Sequence, residues 1–300
     1  MKRVIVLGVL AVVGAVSLQM AGAQSPQAPL PAIQKVKDNL YVITGSDPGD
    51  RSKFTGGNVG VFVTDAGVVL VDTKLANYGQ ALLDQIKTVT PKPVTTVINT
   101  HTHGDHTGSN EFFAASAETI VQENTKANME RMDAFKGDKA RFLPKRTYKD
   151  KVTLGSGRDR VELYYFGAGH TSGDSFVVYP GLRVLQTCDM FAWRDAPFLD
   201  RSNGGSGVAF PETLAKMIAA IKDIDIVIPG HSPVTTPKDL QEFQRFTADF
   251  LAETRKAMQA GKSIDEATTA VAALTSRYPG YKSERMKAAV EVIFGELKAR

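Results

Sequence analysis

The chain has 300 residues, 43% hydrophobic and 23% charged, with 36 Lys and Arg against 32 Asp and Glu, a net charge of +4. So small an excess gives no global electrostatic case for a nucleic-acid or membrane-surface binder, and the single cysteine, Cys188, rules out an internal disulfide framework. Stability therefore has to come from an apolar core, for which the length suffices.

Lys2 and Arg3, an apolar run over residues 4–16 and the small-residue ending Ala21-Gly22-Ala23 follow one another in the order of a secretory signal peptide. The run is short for a membrane span and Gln19 interrupts its flank, which argues against an uncleaved anchor. Cleavage is expected after Ala23, giving a periplasmic or secreted protein with no stable membrane anchor and a net charge of +2. Residues 24–31 (QSPQAPLP) read as a Pro-rich flexible tether, and residues 32–300 as a single domain with a C-terminal helical extension from about residue 238.

Apolar or alternating runs predict strands over residues 40–44, 59–64 and 68–72, an antiparallel meander with a three-residue connection, Asp65-Ala66-Gly67. Helical spacing over 77–89 ends before Pro91 and Pro93, and a buried strand follows at 94–98 (VTTVI). Residues 124–135 look helical. The basic stretch 136–151 reads as a solvated loop, with a cationic lid as the alternative. Strands are expected again at 161–166, 175–179 and 182–186, with Pro180-Gly181 as a tight turn, then a helix at 211–221 and a strand at 224–228. Three helices, 239–260, 263–274 and 283–298, complete the chain. Two β-rich stretches, each followed by helices, suggest paired sheets with helices outside.

The five histidines are distributed unevenly. Three fall within His101-Thr102-His103-Gly104-Asp105-His106, which its glycines and hydroxyl residues mark as a loop just past the strand at 94–98. Four potential ligands in six residues would bring like-protonating groups together with no packing benefit, which favours metal binding. His170 (GAGHTSGD) and His231 (PGHSPV) each follow a strand by a few residues and are flanked by glycines that let the backbone turn sharply; Asp189 (TCDMF) also ends a strand. A metal needs further ligands and no other histidine exists, so these three are candidates as well.

The HxHxDH loop, GHTSGD, TCDMF and PGH, in that order, resemble the metallo-β-lactamase superfamily over roughly residues 40–233. The resemblance implies an α+β sandwich: a four-layer αββα fold of two mixed sheets flanked by helices, here with extra C-terminal helices. It also implies that His101, His103 and His170 hold one metal, that Asp105, His106 and His231 hold a second, and that Asp189 bridges them. Imidazole and carboxylate ligands suit two Zn²⁺, with iron or manganese as alternatives. Asp105 would also orient a nucleophilic water and shuttle a proton. A small-molecule substrate is expected, and nucleic acid is not; the oligomeric state is open.

One subgroup of the family ligates through a cysteine in this region and has a lysine three residues later. Here the third residue after Asp189 is Ala192, and TCDMF aligns with a TGDxxF pattern in which Cys188 replaces a glycine, so Cys188 is expected to be a buried inert thiol. The reading is a dinuclear hydrolase of a small ester, thioester, lactone or lactam. Alternatives are a β-lactamase proper, an iron redox enzyme and a non-catalytic metal scaffold. Phe191, Trp193 and Phe198, with the loop 194–207, are expected to wall the site, and residues 46–57 to form a further wall. The Asn110 amide is expected to cap the next helix.

Overall fold

Strands that alternate apolar side chains between two faces need a partner layer on each face, and this dictates the architecture of the computed structural model, which describes residues 27–45, 50 and 52–299. The expected signal peptide and the first residues of the tether lie outside the described residues. The first sheet has the order β1 (Gln34–Lys37), β2 (Leu40–Ile43), β3 (Val59–Thr64), β4 (Gly67–Val71), β5 (Val94–Ile98), β6 (Glu118–Gln122) and β7 (Arg146–Tyr148). β1 to β4 run antiparallel and β4 to β7 parallel. The second sheet places β12 (Ile226–Pro229) beside β11 (Val184–Cys188), then β10 (Phe176–Tyr179), β9 (Val161–Tyr164) and β8 (Lys151–Leu154). Only the β11–β12 pair in it is parallel.

Period-two alternation assigns the faces. Val177 and Tyr179 of β10 point between the sheets, where they meet Leu40, Phe62, Ile98 and Ile228. Phe176 and Val178 point the other way, onto the helices. Helix α1 (Gly79–Lys87) covers the outer face of the first sheet through Leu82 and Ile86. The outer face of the second sheet is covered by α5 (Phe210–Ala220), α6 (Pro237–Gln259), α7 (Ile264–Ala272) and α8 (Met286–Lys298). The four layers and the extra C-terminal helices are those expected. Among the described residues no helix is long and apolar enough to cross a membrane.

Several local expectations need correction. The helix expected at 124–135 is shorter: α4 (Glu123–Met129) ends before a separate 3₁₀ turn, Asp133–Phe135. Thr64 pairs with Gly67, so the β3–β4 connection has two residues, and Gly67, at φ 140, opens β4. Val184–Cys188 forms the strand expected at 182–186, because Pro180–Leu182 coils into a 3₁₀ turn and Arg183 is left-handed. The basic stretch 136–151 is not simply a solvated loop: it holds a 3₁₀ turn (Gly137–Phe142), β7 and the start of β8, and so extends both sheets. Its charged side chains sit on exposed edges, and charge patterning alone does not register backbone pairing.

Candidate metal centre

Parallel neighbours present their C-terminal ends at one edge, and both sheets use this. β4 and β5 deliver Asp72 and the 101–106 segment, β11 and β12 deliver Asp189 and His231, and the β9–β10 connection delivers His170. Asn58, buried, ties the two sheets together at this edge: its Nδ2 donates to the Pro229 carbonyl at 2.7 Å and its backbone N–H to the Gly230 carbonyl at 2.7 Å.

The histidine segment is not an irregular loop throughout. A single helical turn, α2 (Gly104–Thr107), follows His103, and a second, α3 (Asn110–Phe113), follows it. One turn is too short to disperse side chains around a circumference, so Asp105 and His106 still face the residues that precede it. Asn110 does not cap. Its amide exchanges hydrogen bonds with Asn99 (2.7 and 3.1 Å) and accepts from Thr73 Oγ1 at 2.8 Å, lashing the segment to the sheet.

All seven candidate residues converge. Donor atoms of His101, His103, His170 and Asp189 lie within 4.8 Å of one another, and so do those of Asp105, His106 and His231. In the first group His103 Nδ1 lies 3.1 Å from His101 Nε2 and 2.9 Å from His170 Nε2. In the second, His106 Nε2 lies 3.3 Å from His231 Nε2 and 3.4 Å from Asp105 Oδ2. Asp189 stands between the groups, with Oδ1 3.5 Å from His106 and Oδ2 3.6 Å from His170 and 3.4 Å from His231.

The opposite ring nitrogens show why a cation fits. His103 Nε2 donates to Asp200 Oδ2 at 2.7 Å, His170 Nδ1 to the Phe198 carbonyl at 2.7 Å, and His106 Nδ1 to Asp72 Oδ2 at 2.9 Å. His101 Nδ1 meets Thr100 Oγ1 at 3.2 Å. For His103, His170 and His106 these acceptors hold the N–H on the far side, so their inward-facing nitrogens carry lone pairs, whereas His231 Nδ1 is buried without a partner. Lone pairs aimed at one another at about 3 Å repel unless a positive charge lies among them. Burial, reinforced by the neighbouring imidazoles, lowers the pKa of His101 and His170, keeping both neutral. Burial opposes ionisation of Asp105 and Asp189, but the adjacent imidazoles outweigh it and hold both well below the usual carboxylate range. Burial also opposes protonation of His106 and His231, but the adjacent carboxylates outweigh it and raise both pKa values, so a divalent ion seated among these carboxylates would take the place of protons on those two rings.

Asp72, Thr100 and Asp200, the supports behind the rings, were not anticipated from sequence. An aspartate directly after the VVLV run was the only available signal for Asp72. Cys188 does not join the inward-facing donors: its Sγ lies behind the rings, 3.6 Å from His101 Nδ1 and 3.3 Å from His106 Nδ1, nitrogens already committed to Thr100 and Asp72. Burial pushes its thiol pKa well up, so it stays protonated. Its φ of 46° is a left-handed conformation, which accounts for glycine in the TGDxxF pattern.

A cavity of about 640 Å³ opens onto the centre, with Phe54, Phe142, Trp193 and Phe198 in its walls and His103, Asp105, Asp189 and His231 at its base. Trp193 and Phe198 lie where expected. Phe191 does not: it is buried in the core, stacked on Phe243 at 4.7 Å. Of the expected wall at residues 46–57, Phe54 contributes, 5.8 Å from the His231 ring; residues 46–49 and 51 lie outside the described residues. From the basic stretch, Lys139 and Phe142 reach the cavity.

A family profile described as the metallo-beta-lactamase superfamily matches residues 53–231. A metallo-beta-lactamase type 2 of Elizabethkingia meningoseptica is 31% identical over 178 residues, covering 57% of this chain and 66% of that protein. One from Bacillus sp. (strain 170) is 26% identical over 176 residues, covering 58% and 66%. The chain thus spans just under two thirds of the length of these relatives. Among solved structures, a metallo-beta-lactamase from Pontibacter korlensis superposes with a TM-score of 0.63 at 20% identity, over 73% of this chain and 99% of that one. The DIM-1 metallo-beta-lactamase exposed to ceftazidime gives 0.63 at 21%, over 75% and 99%.

Proposed function

The chain belongs to the metallo-β-lactamase superfamily, and from that premise we propose that it is a dinuclear metal-dependent hydrolase of a small ester, thioester, lactone or lactam. The observation that carries this reading is the inward-facing donor set, fixed from behind by acceptors of its own. His101, His103 and His170 would hold one ion, Asp105, His106 and His231 the other, and Asp189 would touch both. Two such ions, zinc by ligand type, would supply Lewis acidity and a water acidic enough to act as a nucleophile at neutral pH.

The protein's own groups do the rest. Asp105 turns Oδ2 toward His106 and His231 and lines the cavity, so its carboxylate can orient a water and take up its proton. The aromatic walls exclude bulk water and hold an apolar acyl group. Cys188, protonated and absent from the cavity wall, offers no covalent alternative.

A β-lactam substrate is the second reading, favoured by the names of the relatives. Against it stands Ala192, where the cysteine-ligating subgroup has lysine. Residues 1–23 are read as an export signal, which places the hydrolase in the periplasm or outside the cell.

Metal analysis joined to a substrate panel tests the proposal. The full chain should hold close to two zinc ions and hydrolyse at least one of nitrocefin, a homoserine lactone and an acyl thioester, with activity lost on chelation; cleavage of a phosphodiester alone would overturn the acyl-substrate reading. A single tightly held iron with visible absorbance and no hydrolysis would replace this reading with the redox one.

A further inference from the structure

The family match ends at residue 231, yet the C-terminal helices return one residue to the cavity. Arg285, immediately before α8, lies with its guanidinium carbon 4.0 Å above the centre of the Trp193 ring, and Trp193 in turn packs 5.6 Å from the His231 ring. The backbone there is fixed: N–H groups of Ala196 and Arg285 stabilise the buried Asp195 carboxylate. Neighbouring arginines are engaged, Arg194 with Asp239 and Arg201 with Glu296. Among the described residues Arg285 forms no ion pair at 4.0 Å or less, and the nearby buried Asp195 carboxylate, held by backbone N–H groups, attracts its charge from farther off. Arg285 also borders the two grooves that adjoin the main cavity, so its donors stand at a junction open to solvent.

An arginine stacked flat on an indole keeps its N–H fork in a fixed plane and available to a planar anion. Resting on the hydrolase reading above, we propose that Arg285 is the anchor of an anion subsite and that the substrate is an acyl compound carrying a carboxylate on the side of the scissile carbonyl that faces Trp193. The carboxylate meets the guanidinium edge, while the linking hydrocarbon lies against Trp193 and Phe54. The subsite belongs to the C-terminal extension, so the helices that complete the core also select the substrate.

Two para-nitrophenyl esters of glutaric acid test this, one with the distal carboxylate free and one with it methylated. Both are assayed with the metal-loaded full chain. The free acid should be preferred about 10- to 100-fold in kcat/KM, chiefly through KM, the magnitude of a charge-assisted contact. Arg285→Gln should bring the ratio to within about threefold, and Arg285→Lys should restore only part of it, because charge without the fork is a weaker match. A second readout does not need turnover: Trp193 is the sole tryptophan, so glutarate titrated into the metal-loaded protein should change its fluorescence, with a Kd raised about tenfold or more in Arg285→Gln. No preference in the wild type, a preference that survives Arg285→Gln, or equal glutarate affinity in both proteins would overturn the subsite. If neither ester is cleaved while glutarate binding still depends on Arg285, the hydrolase reading fails and the subsite stands.

Discussion

Glycines around the centre give space more than conformational freedom. Neither Gly57 nor Gly230 has a positive φ, so the sharp turn expected beside His231 is not what glycine supplies there. A Cβ on Gly57 would lie 2.1 Å from His106 Cε1, and one on Gly230 would lie 2.0 Å from Asp189 Oδ1. Close packing against an immobile ligand leaves no escape. Gly57→Ala should therefore displace the His106 ring and, on the dinuclear reading, lower the metal content, with far-UV circular dichroism unchanged; elemental analysis showing wild-type metal content and affinity would refute it. Asp105→Asn keeps the shape and removes the proposed base. Hydrolysis should fall by about 100-fold or more, and retention of full rate would exclude the proton role. The converging donors themselves were legible in the sequence because histidine is rare here and clustered. Their supports were not, since Asp72 and Asp200 gain meaning only from ring nitrogens that neighbour them in space.

At the scale of elements, caps and strand ends decide the geometry. Helix α6 begins with a reciprocal capping box: Thr236 accepts from the Asp239 N–H, and the Asp239 carboxylate accepts from the Thr236 N–H. Thr236→Ala should lower stability by about 1 kcal/mol in denaturant titrations. Thr235 first, then Thr236 and Arg194, hold the Asp239 pKa down at about 2. A depressed folded-state pKa means that the stabilisation is complete above the unfolded value, about 4, and is lost as pH falls toward 2. The melting-temperature advantage of wild type over Asp239→Asn should accordingly shrink between about pH 5 and pH 2; an advantage independent of pH would remove the carboxylate from the cap. Apolar runs bounded by turn or stop signals, such as Val59–Thr64 and Val94–Ile98, were legible to the residue. Glu118–Gln122 and Arg146–Tyr148 were not, because short strands with mixed faces carry no dominant period and their pairing comes from the sheet they join.

The whole molecule joins stability to function through its last helices. Phe243, Phe246 and Phe250 of α6 pack with Val290 and Ile293 of α8 and with the outer face of the second sheet. Phe246, fully buried, lies 4.4 Å from the Tyr281 ring. Phe246→Ala should cost about 3–5 kcal/mol in chemical denaturation, and a chain ending at residue 236 should fail to give a cooperative melt, since Phe176, Val178 and Leu185 would lose their cover. A stable, metal-binding truncated chain would show the extension to be dispensable.

From the sequence alone followed the layered architecture and the inventory of donors, because both are written in local terms: periodicity along a strand, and uncommon residue types at close spacing. Folding alone decided which nitrogen of each imidazole faces inward, which glycines make room for His106 and Asp189, and that Arg285 meets Trp193 beside the centre. Those outcomes depend on contacts between segments as much as 97 residues apart, as His103 and Asp200 are in the chain, and such contacts leave no periodic trace in the segments that make them.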